Sequence, residues 1–250
     1  TSKTISTALI MKLAKLLTVA IAVAGAVTTA NAQNGLYKLD VGDFSELKVT
    51  DGINVVYNCS TDSAGWAYFE CDPKTAQMLM FSNKKNSLNI QVAADGAKVE
   101  NLPTVYVYSM TLQKVENSGD SLVRVARTLP VREFKGSVIG NGSLVVENIK
   151  THNADFAIKT GSGHLVAGGS TRKANLKNVG TGKLEASGLQ AEEVKCNILG
   201  TGPVDCNASI TLTVTGAGSG KVYYGGSPSK ITNRSIGVKA ISVDSNQVID

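Results

Sequence analysis

Gly140-Asn141-Gly142-Ser143-Leu144 is the clearest copy of a pattern that recurs through the second half of this 250-residue chain. In each copy a turn of small residues, usually Gly-x-Gly, is followed two residues later by an aliphatic residue. The other copies are Gly161-Ser162-Gly163-His164-Leu165, Gly180-Thr181-Gly182-Lys183-Leu184, Gly200-Thr201-Gly202-Pro203-Val204, Gly218-Ser219-Gly220-Lys221-Val222 and a weaker one, Ser118-Gly119-Asp120-Ser121-Leu122. Their starting positions differ by 22, 21, 19, 20 and 18 residues. A period of about 20 residues indicates a solenoid, whose coils bury their apolar sides against one another.

The residues on both sides of each turn alternate between apolar and polar with a period of two, which predicts β-strands. We expect one interior ladder of apolar side chains, made of Phe134, Val138, Phe156, Ile158, Ala174, Leu176, Val194, Cys196, Ile198, Leu212 and Val214 before the turns and Leu144, Val146, Leu165, Ala167, Leu184, Ala186, Val204, Cys206, Val222 and Tyr224 after them. The coil before Gly161 carries one extra residue, which a β-bulge can absorb. Phosphate-binding Gly-x-Gly turns are followed by a helix whose N-terminus binds the anion, and no helical pattern follows any of these turns. The phosphate-binding interpretation is therefore disfavoured. The predicted class is therefore an all-β, parallel β-helix-like solenoid.

The first 32 residues have the features of an export signal with upstream residues before Met11. Met11 to Lys15 forms a basic segment, Leu16 to Val27 is apolar, and Ala30-Asn31-Ala32 is a cleavage site. Twelve apolar residues are too few for a transmembrane helix, which needs about 20. Cleavage removes three lysines and leaves 22 basic against 20 acidic residues, a net charge of +2. We therefore expect an exported chain without a transmembrane span, and with no charge pattern for nucleic acid or anionic membranes.

Four cysteines in an exported chain permit two disulfides. Cys59 and Cys71 flank a turn near Gly65, although a simple hairpin there places Cys59 opposite Tyr68. Cys196 and Cys206 lie symmetrically about Gly200-Thr201-Gly202 and could bridge one corner. Buried thiols that pack as small apolar groups are the alternative for both pairs. Only His152 and His164 are available beside them, so no metal site is expected.

Residues 33–110 lack the glycine repeat and form the first of two continuous modules, the second being the solenoid at 111–250. The strand patterns predict one hairpin between Leu47 to Asn58 and Gly65 to Cys71. A second joins Met78 to Ser82 with Ser87 to Val92. Such a module caps the solenoid, because an open end exposes unpaired backbone groups. Val238 to Ile249 is predicted to close the opposite end.

The start of this first module resembles the head GIN domain family of auto-transporter adhesins, which is frequent in exported proteins of Bacteroidota. The resemblance lies in Phe44-Ser45-Glu46-Leu47-Lys48-Val49, followed by Asp51-Gly52-Ile53-Asn54-Val55-Val56-Tyr57 with the Gly52-Ile53-Asn54 triplet, and then by the glycine coils, over residues 36–240. It implies a right-handed β-helix-like body at the cell envelope with an adhesive role. The residues Asp51 to Asn54 can serve as a turn entering a strand, with Asp or Asn side chains satisfying nearby backbone groups. Direct contact with a ligand is the alternative for this motif.

Enzymes occur on β-helices, and one column of outward residues is a candidate for catalysis. The repeat places Val145, Val166, Glu185, Asp205 and Tyr223 at equivalent positions, with His164 and Lys183 two residues earlier. Glu185 and Asp205 then lie on adjacent strands about 4.8 Å apart, near the carboxylate spacing of retaining glycosidases. A solvated surface with ordinary acid and lysine pairs explains the same residues. No nucleophile motif or cofactor motif accompanies them, and we expect neither catalytic residues nor a cofactor.

Two aromatic clusters complete the candidate residues. Trp66 lies near Tyr68 and Phe69, and Tyr223 precedes Tyr224. Neighbouring strand positions point to opposite faces, so one residue of each adjacent pair is expected inside and the other outside. An exposed ring could stack on a sugar or simply pack on the surface.

The sequence favours an exported, non-catalytic binding protein of the cell envelope, located in the periplasm, at the outer membrane surface or outside the cell. Its rows of outward Thr, Asn, Lys and Ser would contact a glycan or an envelope or host protein by many weak interactions. A carbohydrate-active enzyme using Glu185 and Asp205, or an envelope scaffold protein, are the alternatives.

Overall fold

The computed structural model describes residues 34–93, 101–243 and 248–249. The predicted signal peptide lies outside the described residues. The elements in chain order are β1 Gly35–Asp40, β2 Glu46–Val49, β3 Val55–Cys59, β4 Trp66–Cys71, α1 Pro73–Met78, β5 Leu79–Lys84, β6 Ser87–Val92, β7 Val105–Ser109, β8 Lys114–Asn117, β9 Leu122–Arg127, β10 Val131–Ile139, β11 Ser143–Thr160, β12 His164–Gly180, β13 Lys183–Gly200, β14 Val204–Gly218, β15 Lys221–Gly225, β16 Lys230–Ile236, β17 Lys239–Ser242 and β18 Val248–Ile249. The chain forms an all-β solenoid with coils of about 20 residues, as the repeat predicts.

Each coil contributes strands to two faces of parallel strands. Face A stacks β6, β2, β8, β10, the second parts of β11 to β14, and β16 in that order. Face B stacks β7, β3, β9, the first parts of β11 to β14, β15 and β17. The long strands β11 to β14 run from face B around a corner into face A of the next coil. From β10 onward each turn of the chain therefore pairs with the turns before and after it.

The interior ladder predicted from the repeat is confirmed. Leu144 pairs with Leu165, Leu165 with Leu184 and Leu184 with Val204, and all four side chains are fully buried. On face A the corresponding ladder includes Phe134 and Phe156, whose ring centroids lie 5.9 Å apart. All the other predicted interior residues are also buried. Stacking of like apolar side chains from coil to coil removes them from water, which is the main stabilising contribution in such a fold.

The glycine corners stack directly on one another. A Cβ atom added to Gly161 would lie 2.4 Å from the carbonyl oxygen of Gly140, and Gly161 has a φ of +85°. Only glycine meets both the steric and the conformational requirement at this position. The extra residue before this turn is absorbed by a register shift between Val138 and Ile139, as expected.

The weakest copy of the repeat is aligned differently in the structure. Val123, and not Leu122, pairs with Leu144, and Leu122 is 39% exposed. Because Asn117 pairs with Val138, Gly119 occupies the position of Gly140, and the two coils are 21 residues apart rather than 22. The alignment of Ser118 with Gly140 was wrong by one residue.

The first coils are not stacked in chain order. β2 and β3 lie between β6 and β7 on one side and β8 and β9 on the other. The predicted hairpin that pairs β2 and β3 with β4 is therefore wrong, since β4 pairs antiparallel with β1 and β7 instead. Parallel stacking allows β3 to bury both edges, which a hairpin would not. The second hairpin is confirmed, with β5 and β6 joined through Lys85 and Asn86, both at positive φ as in a type I′ turn.

Antiparallel strands cover both ends of face B. At the first end β4 adds to β7, and β1 adds to β4. Between β4 and β5 the short helix α1 begins after Asp72, whose carboxylate accepts hydrogen bonds from the amides of Lys74 and Thr75. At the other end β18 pairs antiparallel with β17. These strands shield edges that would otherwise be open to pairing with other chains.

Candidate functional site

The strand register brings the sequence candidates together on the outside of face B. One row of outward side chains crosses this face from β1 to β17, and we call it the central row. It consists of Lys38, Tyr68, Tyr106, Val56, Arg124, Val145, Val166, Glu185, Asp205, Tyr223 and Ile241. With strands about 4.8 Å apart, the row is about 50 Å long. His164 and Lys183 pair in the adjacent row, and Trp66 lies beside Tyr68 on β4.

A cluster of four charged or titratable side chains occupies the middle of this face. Lys183 Nζ lies 2.7 Å from Glu185 Oε1 and 3.6 Å from Asp205 Oδ2. His164 Nε2 lies 2.9 Å from the same Glu185 oxygen. Lys183 thus bridges two carboxylates on neighbouring strands, and the register predicted from the repeat is what brings them together.

The surroundings separate the two carboxyl groups electrostatically. The hydrogen bond donated by Lys183, with help from His164, lowers the pKa of Glu185. Burial raises the pKa of Asp205, and the charge of Lys183 offsets only part of that effect. The hydrogen bond to Glu185 in turn raises the pKa of Lys183. Glu185 is therefore held as a carboxylate, whereas ionisation of Asp205 is disfavoured.

A groove of about 400 Å³ begins at Asp205 and runs past Tyr223 toward the last strand. The groove forms because Gly225 has no side chain at an outward position of β15, whereas its partner Asn207 on β14 does. The described residues that line it are Ser187, Asp205, Cys206, Asn207, Tyr223, Gly225, Gly226 and Val243. Of these residues, sequence reasoning singled out Asp205 and Tyr223 as binding candidates but missed Ser187, Asn207 and Gly225. The alternation after Val204 predicts that Asn207 points outward, so part of the signal was present.

The opposite end of face B carries a group of aromatic side chains that sequence reasoning found only in part. Trp66 and Tyr68 point outward from β4, and Tyr106 and Tyr108 point outward from β7. Tyr68 and Tyr108 make an edge-to-face contact with ring centroids 5.7 Å apart, and Tyr106 is 44% exposed. Lys38 Nζ lies 4.0 Å from the centre of the Trp66 ring, a cation–π contact.

The expected division of each aromatic pair between inside and outside is confirmed. Phe69 is buried and stacks between Tyr37 and Phe81, whereas Tyr68 faces outward. Tyr224 is buried, whereas Tyr223 is half-exposed in the central row. The two ends of face B therefore both present aromatic rings to the outside.

The residues Asp51 to Asn54 form the corner between β2 and β3. Asp51 has a φ of +65°, and its carboxylate accepts a hydrogen bond from the amide of Val92 at 2.9 Å. Asn54 Oδ1 accepts from the amide of Leu122 at 3.0 Å, and Ser121 donates to the carbonyl of Ile53. The side chains of Asp51 and Asn54 thus bind the backbone of the coils on either side, and Ile53 is fully buried.

All four cysteines are buried and present as free thiols. The neighbouring thiol of Cys206, together with burial, raises the pKa of Cys196 well above its ordinary value. The bridge between them stays a prediction. Cys59 pairs with Ser109 at one end of β7, whereas β4 runs antiparallel to β7 and pairs Tyr68 with Tyr106. The register therefore carries Cys71 past the other end of β7, away from Cys59.

Among the described residues, no three His, Cys, Asp or Glu side chains are grouped so that they could hold a metal ion. Within the described ranges, no helix has the length and apolar character needed to cross a membrane.

Three solved structures of similar fold come from species of Bacteroides and Parabacteroides. A putative adhesin from Bacteroides fragilis superposes on this chain with a TM-score of 0.75 at 20% identity, over 85% of this chain and 98% of the other. A putative adhesin from Parabacteroides merdae gives 0.69 at 22% identity, over 85% and 97%. A putative lipid binding protein from Parabacteroides distasonis gives 0.68 at 17% identity, over 85% and 98%. At these identities the likeness is one of fold.

Comparison with curated proteins gives no match. The family model described as "Putative auto-transporter adhesin, head GIN domain" matches residues 43–228, which is most of the chain and includes the corner at Asp51 to Asn54 as well as the glycine coils. The chain therefore belongs to the head GIN domain family of putative auto-transporter adhesins.

Proposed function

We propose that this protein is an exported, non-catalytic binding protein of the cell envelope that holds a glycan chain against the outside of face B. The observation that carries the proposal is the central row, which joins an aromatic group at one end to Tyr223 and its groove at the other. Membership of an adhesin family and the features of an export signal in residues 11–32 support the same role.

Face B is better suited to this contact than face A. The outside of face A carries ion pairs, and Glu116, whose side chain is 13% exposed, is already paired with Lys48 and Lys159. Face B instead exposes tyrosine rings, which combine an apolar surface with a polar hydroxyl group and lose little conformational entropy on binding. Repeated weak contacts along about 50 Å favour a polymer, since each further contact is made at high effective concentration.

Binding of the purified chain to an array of neutral and acidic polysaccharides tests the proposal. We expect binding that falls at least about tenfold in the Tyr106→Ala/Tyr108→Ala variant, because aromatic contacts dominate such interfaces. The matched control is Lys195→Ala/Thr213→Ala, which removes two side chains at paired positions of face A and should leave binding unchanged. Equal loss in both variants would contradict a role for face B. Capture of one envelope protein with no glycan bound would instead favour the scaffold alternative.

The opposite pKa directions of Glu185 and Asp205 favour a second candidate, a glycoside hydrolase. Such enzymes pair a carboxylate with an acid of higher pKa, and the pKa of Glu185 is lowered here whereas that of Asp205 is raised. Lys183, however, contacts both carboxyl groups and occupies the space between them. Mass spectrometry of bound oligosaccharides after prolonged incubation separates the two functions: shortened products that disappear in Glu185→Gln would establish hydrolysis.

A further inference from the structure

The groove beside Tyr223 is a notch in an otherwise regular surface. Asn207 pairs with Gly225 on the next strand, and the amide of Val243 donates to the carbonyl of Tyr224 on that strand. Gly225 thus leaves an empty position between two residues that carry side chains. A Cβ atom placed on Gly225 would lie 3.5 Å from Val243 Cγ2 and 3.7 Å from Asn207 Nδ2, which are ordinary contacts. The absence of a side chain at Gly225 is therefore not imposed by the corner packing that governs glycines such as Gly161.

Polar groups with free hydrogen-bonding capacity surround this notch. The side chains of Ser187, Asn207 and Tyr223 make no hydrogen bond to any other described residue, while all three line the groove. Asp205 is only 22% exposed and contacts Lys183 at 3.6 Å, which leaves most of its acceptor capacity unused. Asp205, Asn207 and Tyr223 are half-buried and Ser187 is exposed, so their hydrogen-bonding groups that have no partner among the described residues are open to water or a ligand.

We propose that this groove binds one neutral sugar residue of the glycan chain, and this inference rests on the proposed function. The ring of Tyr223 offers an apolar surface to the C–H groups of a pyranose. Asp205 and Asn207 lie on the same face of β14 two residues apart, about 6.6 Å along the strand, so a carboxylate and an amide can bind hydroxyl groups at two positions of one sugar ring. A carboxylate accepts hydrogen bonds from hydroxyl donors, and an amide both donates and accepts. A volume of about 400 Å³ is at the small end of the range for ligand sites, as one sugar requires.

The charge of the lining favours a neutral ligand over an acidic one. Asp205 is the only charged side chain in the described lining of the groove. The ammonium group of Lys183 contacts Asp205 but is shared with Glu185. Lys221 points outward two residues before Tyr223 and lies outside the described lining. A uronic or sialic acid in the groove would therefore meet the carboxylate of Asp205 directly. Neutral hexoses have no such penalty.

The test uses small probes that reach the groove but cannot span the face. Methyl glycosides of glucose, galactose and mannose, together with methyl glucuronide, are measured by saturation-transfer NMR against the purified chain. We expect at least one neutral glycoside to bind, with affinity at least about tenfold lower in Tyr223→Ala and Asp205→Asn, since each removes contacts worth more than about 1.4 kcal/mol. Gly225→Leu fills the notch without removing a polar group and should abolish binding.

The control variant is Lys195→Ala/Thr213→Ala on face A, which lies outside the central row and should bind the small probes as the wild type does. Thermal unfolding of each variant verifies that the fold is retained. Unchanged binding in Tyr223→Ala and Gly225→Leu overturns the sugar site alone, and polysaccharide binding that depends on Tyr106 and Tyr108 would still support the proposed function. Preferred binding of methyl glucuronide that improves in Asp205→Asn overturns the neutral ligand. A wild-type chain that binds neither glycosides nor polysaccharides overturns both proposals.

Discussion

Glu185 and Asp205 lie directly opposite each other on neighbouring strands, yet their surroundings move the pKa values of their carboxyl groups in opposite directions. Two acids at directly paired positions of neighbouring strands ordinarily raise each other's pKa. Lys183 breaks this symmetry because it donates a short hydrogen bond to Glu185 and stands farther from Asp205. Asp205 is also the more buried of the two side chains, with 22% of its surface exposed against 31% for Glu185.

Replacing Lys183 with methionine should lower the stability of the folded chain most at neutral pH. The lowered pKa of Glu185 means that its stabilising contribution is fully present above the pKa of the unfolded state and disappears as the pH falls through the lowered folded value. The groups are partly exposed, so the loss should be below about 1 kcal/mol. Urea unfolding between pH 7 and pH 3 measures it, with Lys195→Met on face A as the control. A difference that does not depend on pH would contradict the role assigned to Glu185.

Asp205→Asn should have the opposite effect and stabilise the fold at neutral pH. Burial raises the pKa of Asp205, so its ionisation costs stability above that raised value, and the cost vanishes below the pKa of the unfolded state. The advantage of the variant should therefore be present at pH 7 and absent in strong acid. Thermal unfolding at both pH values measures the difference. Glu185→Gln provides the comparison, because it should destabilise at neutral pH, and equal shifts in both variants would contradict the assignment.

The sequence predicts the solenoid and the composition of the central row from β11 to β15, because consecutive coils of nearly equal length must stack in register. Val145, Val166, Glu185, Asp205 and Tyr223 follow one another by this rule alone. No such rule governs the first coils, where β3 pairs with strands that lie about 50 and 70 residues later in the chain. The exposed tyrosines of β7 join Trp66 and Tyr68 through the antiparallel pairing of β4 with β7, which the predicted hairpin did not include, so sequence reasoning missed the aromatic end of face B.

The groove could not be predicted for a different reason. Gly225 reads in the sequence as one more small residue after a strand, beside Gly226, which does have a positive φ. Its significance depends on Asn207 and Val243 flanking it on two other strands. A missing side chain becomes a site only through neighbours that the chain brings from elsewhere.

Alanine substitutions at two corner glycines should separate backbone strain from steric exclusion. Gly140 has a φ of +95° and open space where a Cβ atom would lie, whereas Gly161 has a φ of +85° and a carbonyl oxygen 2.4 Å from that position. Gly140→Ala should cost about 1–2 kcal/mol for the left-handed conformation alone. Gly161→Ala should cost clearly more, because the backbone of two coils must move apart. Urea unfolding of both variants gives the comparison. Equal losses in the free energy of unfolding would show that the backbones of the two coils move apart at no free-energy cost.

The thiols of Cys196 and Cys206 should resist alkylation in the folded chain. Both are buried in one coil, and the neighbouring thiol of Cys206 together with burial raises the pKa of Cys196, so the reactive thiolate is scarce and shielded. Burial also raises the pKa of Cys71, to about 11. We expect iodoacetamide at pH 8 to label these cysteines only after the chain is unfolded in guanidinium, as measured by mass spectrometry of the peptides under reducing conditions. Fast labelling of Cys196 in the native chain would mean that this coil opens readily, and the stacking of the ladder around Cys206 and Val204 would then be much looser than the register indicates.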